Sequence, residues 1–209
     1  IAYDYWQAQG GLSEHAQVAG AVNTLLIKDN ALYGDNTDGQ GFINHIRRLG
    51  WPLTAARVAI IGAGGAARGV ILPLIEAGIA TLTLTNRTAS KADILISELS
   101  AASRTIKNHT ITTCETAKLI GQFDLIINAT SIGLSGDTLP LSDNLESHYV
   151  YDMMYGRELP FLHHFAARGA QVSEGYGMLI GQAALSFERW TGQAVDVDAA
   201  TITLQSLAE

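Results

Sequence analysis

The sequence predicts an α/β protein built on a doubly wound parallel sheet, and three observations carry that prediction. Strand-like runs alternate with helical segments from Val58 to Ser173, which implies right-handed crossovers between parallel strands. The run Val58-Ala59-Ile60-Ile61 is apolar throughout, as suits a strand buried on both faces. Directly after it, Gly62-Ala63-Gly64-Gly65-Ala66-Ala67 leads into an alanine-rich apolar stretch, the order strand, turn, helix.

The elements follow from local pattern. Strands are expected at Val58–Ile61, Thr81–Thr85, His109–Thr113, Asp124–Asn128, Tyr149–Asp152 and Ala170–Ser173. Helices are expected between them at Ala66–Ala77, Ala89–Ser100, Glu115–Leu119 and Pro160–Arg168. Pro73 falls inside the first of these and should bend it. Upstream of residue 38 the rhythm changes to a helix, a strand Ala21–Ile27, a turn at Asp29-Asn30 and a strand Ala31–Gly34. Asp38–Leu49 reads as a helix ended by Gly50-Trp51-Pro52. Met178–Trp190 reads as a long helix stopped at Thr191-Gly192, and Asp198–Leu207 as a last amphipathic one.

Composition narrows the function classes. The net charge is −7 with no basic block, so neither nucleic acid nor an anionic membrane is an expected partner. The lone cysteine, Cys114, cannot form an intramolecular disulfide and suits a cytoplasmic setting. The six histidines make no metal-ligand spacing, so no metal is expected. The apolar runs are too short to span a bilayer.

The glycine segment carries the first functional signal. It fits G-x-G-x-x-G/A in the strand–helix setting that a Rossmann-type dinucleotide site requires. Gly62 permits the tight turn, Ala63 spaces it from Gly64, and Gly64 lets the backbone approach a pyrophosphate. Gly65 and Ala66 then open the helix whose free N–H groups receive phosphate charge. An NAD site would carry a carboxylate at the end of the next strand to hold the ribose 2′-hydroxyl. This chain has Asn86-Arg87-Thr88-Ala89-Ser90-Lys91 there, two cations with hydroxyl and amide donors, which suits the 2′-phosphate of NADP. Thr88 can at the same time cap the following helix.

Several separated motifs then resemble one family. "GAVNTL" at 20–25, "GDNTDG" at 34–39, "GAGGAARG" at 62–69 and "NRT" at 86–88 are similar to shikimate dehydrogenases. "INATSIG" at 127–133, "YDMMY" at 151–155 and "GMLIGQAALSFERWTG" at 177–192 follow in the family's order. The resemblance implies reduction of 3-dehydroshikimate to shikimate with NADPH, in aromatic amino acid biosynthesis, by a monomer or homodimer. It divides the chain into the remnant of an α/β substrate domain (1–37), an NADP domain (38–176) and C-terminal helices returning to the substrate domain (177–209).

By the same resemblance Asn23, Asp38, Tyr155 and Gln182 contact substrate, and Asp38 takes part in proton transfer. Thr130, Met153 and Gly175 line the nicotinamide side, with Glu14 near its end. Taken alone, Asn23 reads equally as a turn amide and Asp38 as a helix N-cap. The chain also departs from the family. The "N-V-T-x-P-x-K" segment with the family's catalytic Lys and an S-x-S clamp do not occur, and the Lys would fall at or before Ile1-Ala2. The expectation is a truncated member that binds NADP but turns over poorly. A quinate/shikimate dehydrogenase and a non-catalytic NADP-binding module are the alternatives.

Overall fold

The computed structural model describes residues 11–28, 30–132 and 139–206, so the expectations touching Ile1-Ala2, Asp29, Gly133 and Leu207 lie outside them. A short helix α1 (Glu14–Ala19) leads into a hairpin of β1 (Thr24–Lys28) and β2 (Ala31–Asp35), paired antiparallel with Ile27 opposite Leu32. Helix α2 (Asp38–Arg48) then enters the larger sheet. That sheet is formed by β3 (Arg57–Ile61), β4 (Thr81–Asn86), β5 (Ile111–Glu115), β6 (Gly121–Asn128), β7 (Leu145–Asp152) and β8 (Gln171–Glu174). All five pairings are parallel, in the order β5-β4-β3-β6-β7-β8. The crossovers carry α3 (Gly65–Glu76), α4 (Ala89–Ala102) with the short α5 (Arg104–Lys107), and α6 (Pro160–Ala166). Helices α7 (Tyr176–Thr191) and α8 (Val197–Ser206) end the chain.

The doubly wound parallel sheet predicted from the sequence is what forms. Val58 and Ile60 face one apolar layer with Phe42, Val70, Leu74 and Leu95 of α2, α3 and α4. Ala59 and Ile61 face the other with Ile126, Val150 and Phe165 of α6. Alternate residues of one apolar strand thus serve two layers. Strand order reverses between β3 and β6, so the crevice outside their carboxyl ends is where such a sheet binds ligands.

Several local expectations shift, each for a hydrogen-bonding reason. The first strand begins at Thr24, not Ala21, because Gly20 takes φ 64° and the Ala21 N–H closes on the Ala16 carbonyl. The fifth segment runs as a strand to Glu115, opposite Asn86, and only Thr116–Lys118 turn as a 3₁₀ helix. His109 closes helix α5 through Ile106 instead of starting that strand. Thr88 stands at the N-cap of α4 without a side-chain cap bond. Asp38 is the first residue of α2, and Thr37 occupies the cap position, also without a side-chain cap bond.

Two close helix contacts set up the site. Helix α3 continues through Pro73, and Gly39 of α2 lies so near that a Cβ there would collide with the Gly69 carbonyl and the Pro73 ring. Proline has no N–H to give that turn of the helix, and glycine lets the neighbouring backbone fit over it. Gly41 lies against α7 in the same way: a Cβ there would stand 2.5 Å from the Gln182 nitrogen, and one on Gly181 3.0 Å from the Gly41 carbonyl. Helices α2 and α7 therefore cross nearly backbone to backbone, which brings Gln182 beside the start of α2.

Candidate functional site

The glycine turn stands at the carboxyl end of β3. Gly62 has φ 108°, and a Cβ there would lie 2.8 Å from Cγ2 of Thr130 and 3.0 Å from the Ala129 carbonyl. Glycine satisfies both the backbone angle and the approach of the β6 loop. At Gly64 and Gly65 a Cβ would meet nothing within 4 Å, so that side of the turn is open. Helix α3 starts there with no acidic residue in its first turn and no side-chain cap, leaving backbone N–H groups to receive an anion. Ala67, fully buried, seats the helix on the sheet.

Two openings meet at this helix start. One, of about 560 Å³, is lined by Ala21, Asn36, Asp38, Gly65, Ala66 and Arg68 among others. The second is lined by Ala63, Gly64, Gly65, Arg68, Lys91 and Ile94 among others. Gly65 and Arg68 border both, so a groove runs from Lys91 past the glycine turn to Asp38. Arg68 is itself occupied, donating to the Val18 carbonyl and pairing with Glu98. At the Lys91 end, Asn86 donates to the Thr88 carbonyl at 3.1 Å and shapes the turn. Arg87, Thr88, Ser90 and Lys91 are exposed, Ala89 is half-buried, and neither cation is ion-paired among the described residues. Free cations at that position could take an anionic group.

At the other end the structure brings Asn23, Asp38 and Gln182 together. The Asn23 Nδ2 donates to Asp38 Oδ1 at 2.8 Å and approaches Gln182 Oε1 at 3.4 Å. Asn36, buried and absent from the sequence expectations, accepts from the Asp38 backbone N–H at 3.1 Å and turns its own amide toward Asp38 Oδ2. Asp38 thus presents an acceptor held from two sides at the mouth of the groove. Such a group can bind a hydroxyl and exchange a proton with it.

The carboxyl ends of β6, β7 and β8 lie side by side, Asn128 opposite Asp152 and Asp152 opposite Glu174. Thr130 donates through N and Oγ1 to Asn128 Oδ1, at 3.0 and 2.7 Å. The buried Asn128 amide donates in turn to Asp152 Oδ2 at 2.9 Å, and Asp152 Oδ1 accepts from Met154 N. Burial pushes the Asp152 carboxyl up, while those bonds hold it down. Gly175 packs flat on the Met153 carbonyl, where no side chain fits, and its N–H donates to Met154 O at 2.9 Å.

Two expected residues stand apart. Glu14 lines neither opening; its carboxylate accepts from Ser103 at 3.2 Å, at the carboxyl end of α4. Helix α1 places its opposite end, Gly20, beside Arg68, so its first residue faces away from the groove. Tyr155 is 42% exposed, its ring 6.0 Å from that of Tyr176 at the start of α7, with no bond to Asn23, Asp38 or Gln182. No described cluster of His, Cys, Asp or Glu is arranged to hold a metal ion.

Comparison with known proteins places the chain in a family. The family model described as Shikimate / quinate 5-dehydrogenase matches residues 46–134, and that of the Shikimate 5'-dehydrogenase C-terminal domain matches 175–201. The NADP(+)-dependent shikimate dehydrogenase of Psychrobacter cryohalolentis is 68% identical, over all of this chain and 76% of its own length. The chain belongs to the shikimate dehydrogenase family. The Acinetobacter baylyi shikimate dehydrogenase is 46% identical over 87% of this chain and 68% of its own. Among solved structures, the Thermus thermophilus shikimate 5-dehydrogenase in complex with NADP(H) and shikimate superposes with a TM-score of 0.78 at 33% identity. It covers 95% of this chain and 72% of its own. No described helix is long and apolar enough to cross a membrane.

Proposed function

We propose that this shikimate dehydrogenase reduces 3-dehydroshikimate to shikimate with NADPH, binding the cofactor along the groove from Lys91 to the glycine turn and the substrate at Asp38. The observation that carries the reading is that Asp38 and the uncapped start of α3 border one cavity. NADPH supplies the hydride when bound. Arg87 and Lys91 take its 2′-phosphate, and the N–H groups at Gly64 and Gly65 take the pyrophosphate. Thr130, Met153 and Gly175 form the wall beside the nicotinamide. Asn23, Asp38 and Gln182 orient the substrate's hydroxyls, and Asp38 accepts or returns a proton there. The substrate part is 1–37 with 177–209, and 38–176 holds the cofactor. A cytoplasmic setting fits the single cysteine.

Titration with NADPH, followed by cofactor fluorescence, and assays of shikimate-dependent reduction of NADP⁺ test the reading. Quinate and NAD⁺ are run in parallel, because the matching family includes quinate dehydrogenases by its description. Saturable NADPH binding with preference for shikimate and NADP⁺ is expected. Equal use of NAD⁺ would overturn the cofactor assignment, and preference for quinate the substrate assignment.

A further inference from the structure

We infer that Thr24 and Ser186 are positioning residues for the substrate end of the groove: a chain of buried hydroxyls sets which way the Asn23 amide points. The inference rests on reading Asn23, Asp38 and Gln182 as the substrate-facing group.

Asn23 itself is exposed, whereas Thr24 and Thr37 are fully buried and Ser186 is 5% exposed. The Asn23 Oδ1 accepts the Thr37 backbone N–H at 3.0 Å and lies 2.8 Å from Thr24 Oγ1, with Thr37 Oγ1 3.2 Å away. A backbone N–H can only donate, so the atom facing it is the carbonyl oxygen of the amide. The NH₂ group must then face the other way, toward Asp38 Oδ1 and Gln182 Oε1, both of which accept. A flipped amide would set donor against donor at Thr37 and acceptor against acceptor at Asp38.

Proton counting extends the chain to α7. Each hydroxyl has one proton, and Ser186 Oγ lies within reach of Thr24 Oγ1 at 2.6 Å, the Gln182 carbonyl at 3.0 Å and Thr37 Oγ1 at 3.1 Å. Where Thr24 spends its proton on Asn23, the shortest of these contacts requires Ser186 to donate to Thr24. Thr37 Oγ1 then has the Gln182 carbonyl available at 3.1 Å. The order Ser186 to Thr24 to Asn23 leaves Asn23 one orientation, and it links the amide to the helix that carries Gln182. Three hydroxyls buried between a hairpin and a helix are costly unless mutually satisfied. Here their partners are one another, the Gln182 carbonyl and the Asn23 amide.

The test compares Thr24→Val, which keeps the shape and removes the hydroxyl, with Thr24→Ser, which keeps the hydroxyl, and adds Ser186→Ala. The direct readout is the ¹H–¹⁵N signal pair of the Asn23 side chain without ligand. It should shift or broaden in Thr24→Val and Ser186→Ala and stay at its wild-type position in Thr24→Ser. Shikimate affinity should fall about tenfold in the first two, with NADPH affinity unchanged. In an Asn23→Ala background, Ser186→Ala should have no further effect on shikimate, since its action passes through Asn23. An unmoved Asn23 signal in Thr24→Val overturns the inference, as does an additive loss in the double variant. Failure of the wild-type protein to bind shikimate would instead overturn the substrate reading, leaving the amide signal to decide the inference. Should Ser186→Ala fail to fold, the Thr24 pair decides alone.

Discussion

The Tyr151 hydroxyl lies 2.9 Å from Nδ1 of His45 and also accepts the backbone N–H of Met178. Burial, and then the charge of Arg48, hold His45 down at about 4, and burial pushes the Tyr151 phenol well above its usual range. The pair joins α2, the sheet and α7 at one point. Gly177 of α7 lies directly over the ring, where a Cβ would collide with it.

This geometry predicts a pH dependence of stability. The folded pKa of His45 lies below the ordinary value of 6.5, so the unfolded chain binds the proton first as pH falls. Its stabilising contribution is fully present above about 6.5 and is lost progressively as pH falls toward 4. Partial solvent access to the ring reduces the effect to about 1–2 kcal/mol. Urea midpoints of the wild type should fall between those limits relative to His45→Gln, which removes the titration. Parallel pH profiles would refute it.

Asp38→Asn should separate the two ends of the groove. The Asn23 amide would lose its charged acceptor, and the proton-exchanging group would be gone. NADPH affinity should stay within about twofold, while shikimate-dependent turnover falls about 100-fold or more. Steady-state kinetics beside a cofactor titration measures both, and loss of NADPH binding would place Asp38 elsewhere in the mechanism.

Arg87→Ala should act at the opposite end. Removing one of two exposed cations is expected to weaken NADP⁺ about tenfold or more, with NAD⁺ nearly unaffected, because only NADP carries the extra phosphate. Lys91→Ala should act in the same direction and less strongly, as a point charge without the guanidinium's fork. The measurement is the ratio of dissociation constants for the two cofactors. An unchanged ratio would show that the phosphate lies elsewhere.

Gly41→Ala should damage the substrate end without touching any ligand. The added methyl meets the Gln182 backbone and forces α2 and α7 apart. A cost of about 1–3 kcal/mol in denaturant unfolding is expected from such overpacking. Shikimate affinity should fall with it, because Gln182 moves away from Asn23. Full affinity in the variant would show that the helix crossing does not set the site.

The glycine turn is legible in the sequence because its requirements are local. Gly62, Gly64 and Ala67 answer to a turn, an open approach and a tight helix seat, all within one strand–helix connection. Arg87 and Lys91 follow the next strand at a fixed offset. The cluster of Asn23, Asp38 and Gln182 is less legible: on local pattern Asn23 and Asp38 read equally as a turn amide and a helix cap. Asn36, Thr24 and Ser186 carry no distinguishing signal, since an amide or hydroxyl that becomes buried looks like any other along the chain. Glu14 stands apart from both openings, bonded to Ser103, because a position along the chain does not tell which way a six-residue helix points.

The sequence by itself determined the parallel α/β class, the glycine turn and the cationic strand end, because alternation, periodicity and turn chemistry act between near neighbours. Tertiary structure alone decided that Asn23, Asp38 and Gln182 meet. Asn23 and Asp38 flank the β1–β2 hairpin, and Gln182 reaches them through a helix crossing that Gly41 and Gly181 permit. It also decided the direction of the Asn23 amide and the neutral state of His45. Both depend on the donors and acceptors that surround a side chain after folding, and spacing along the chain does not encode them.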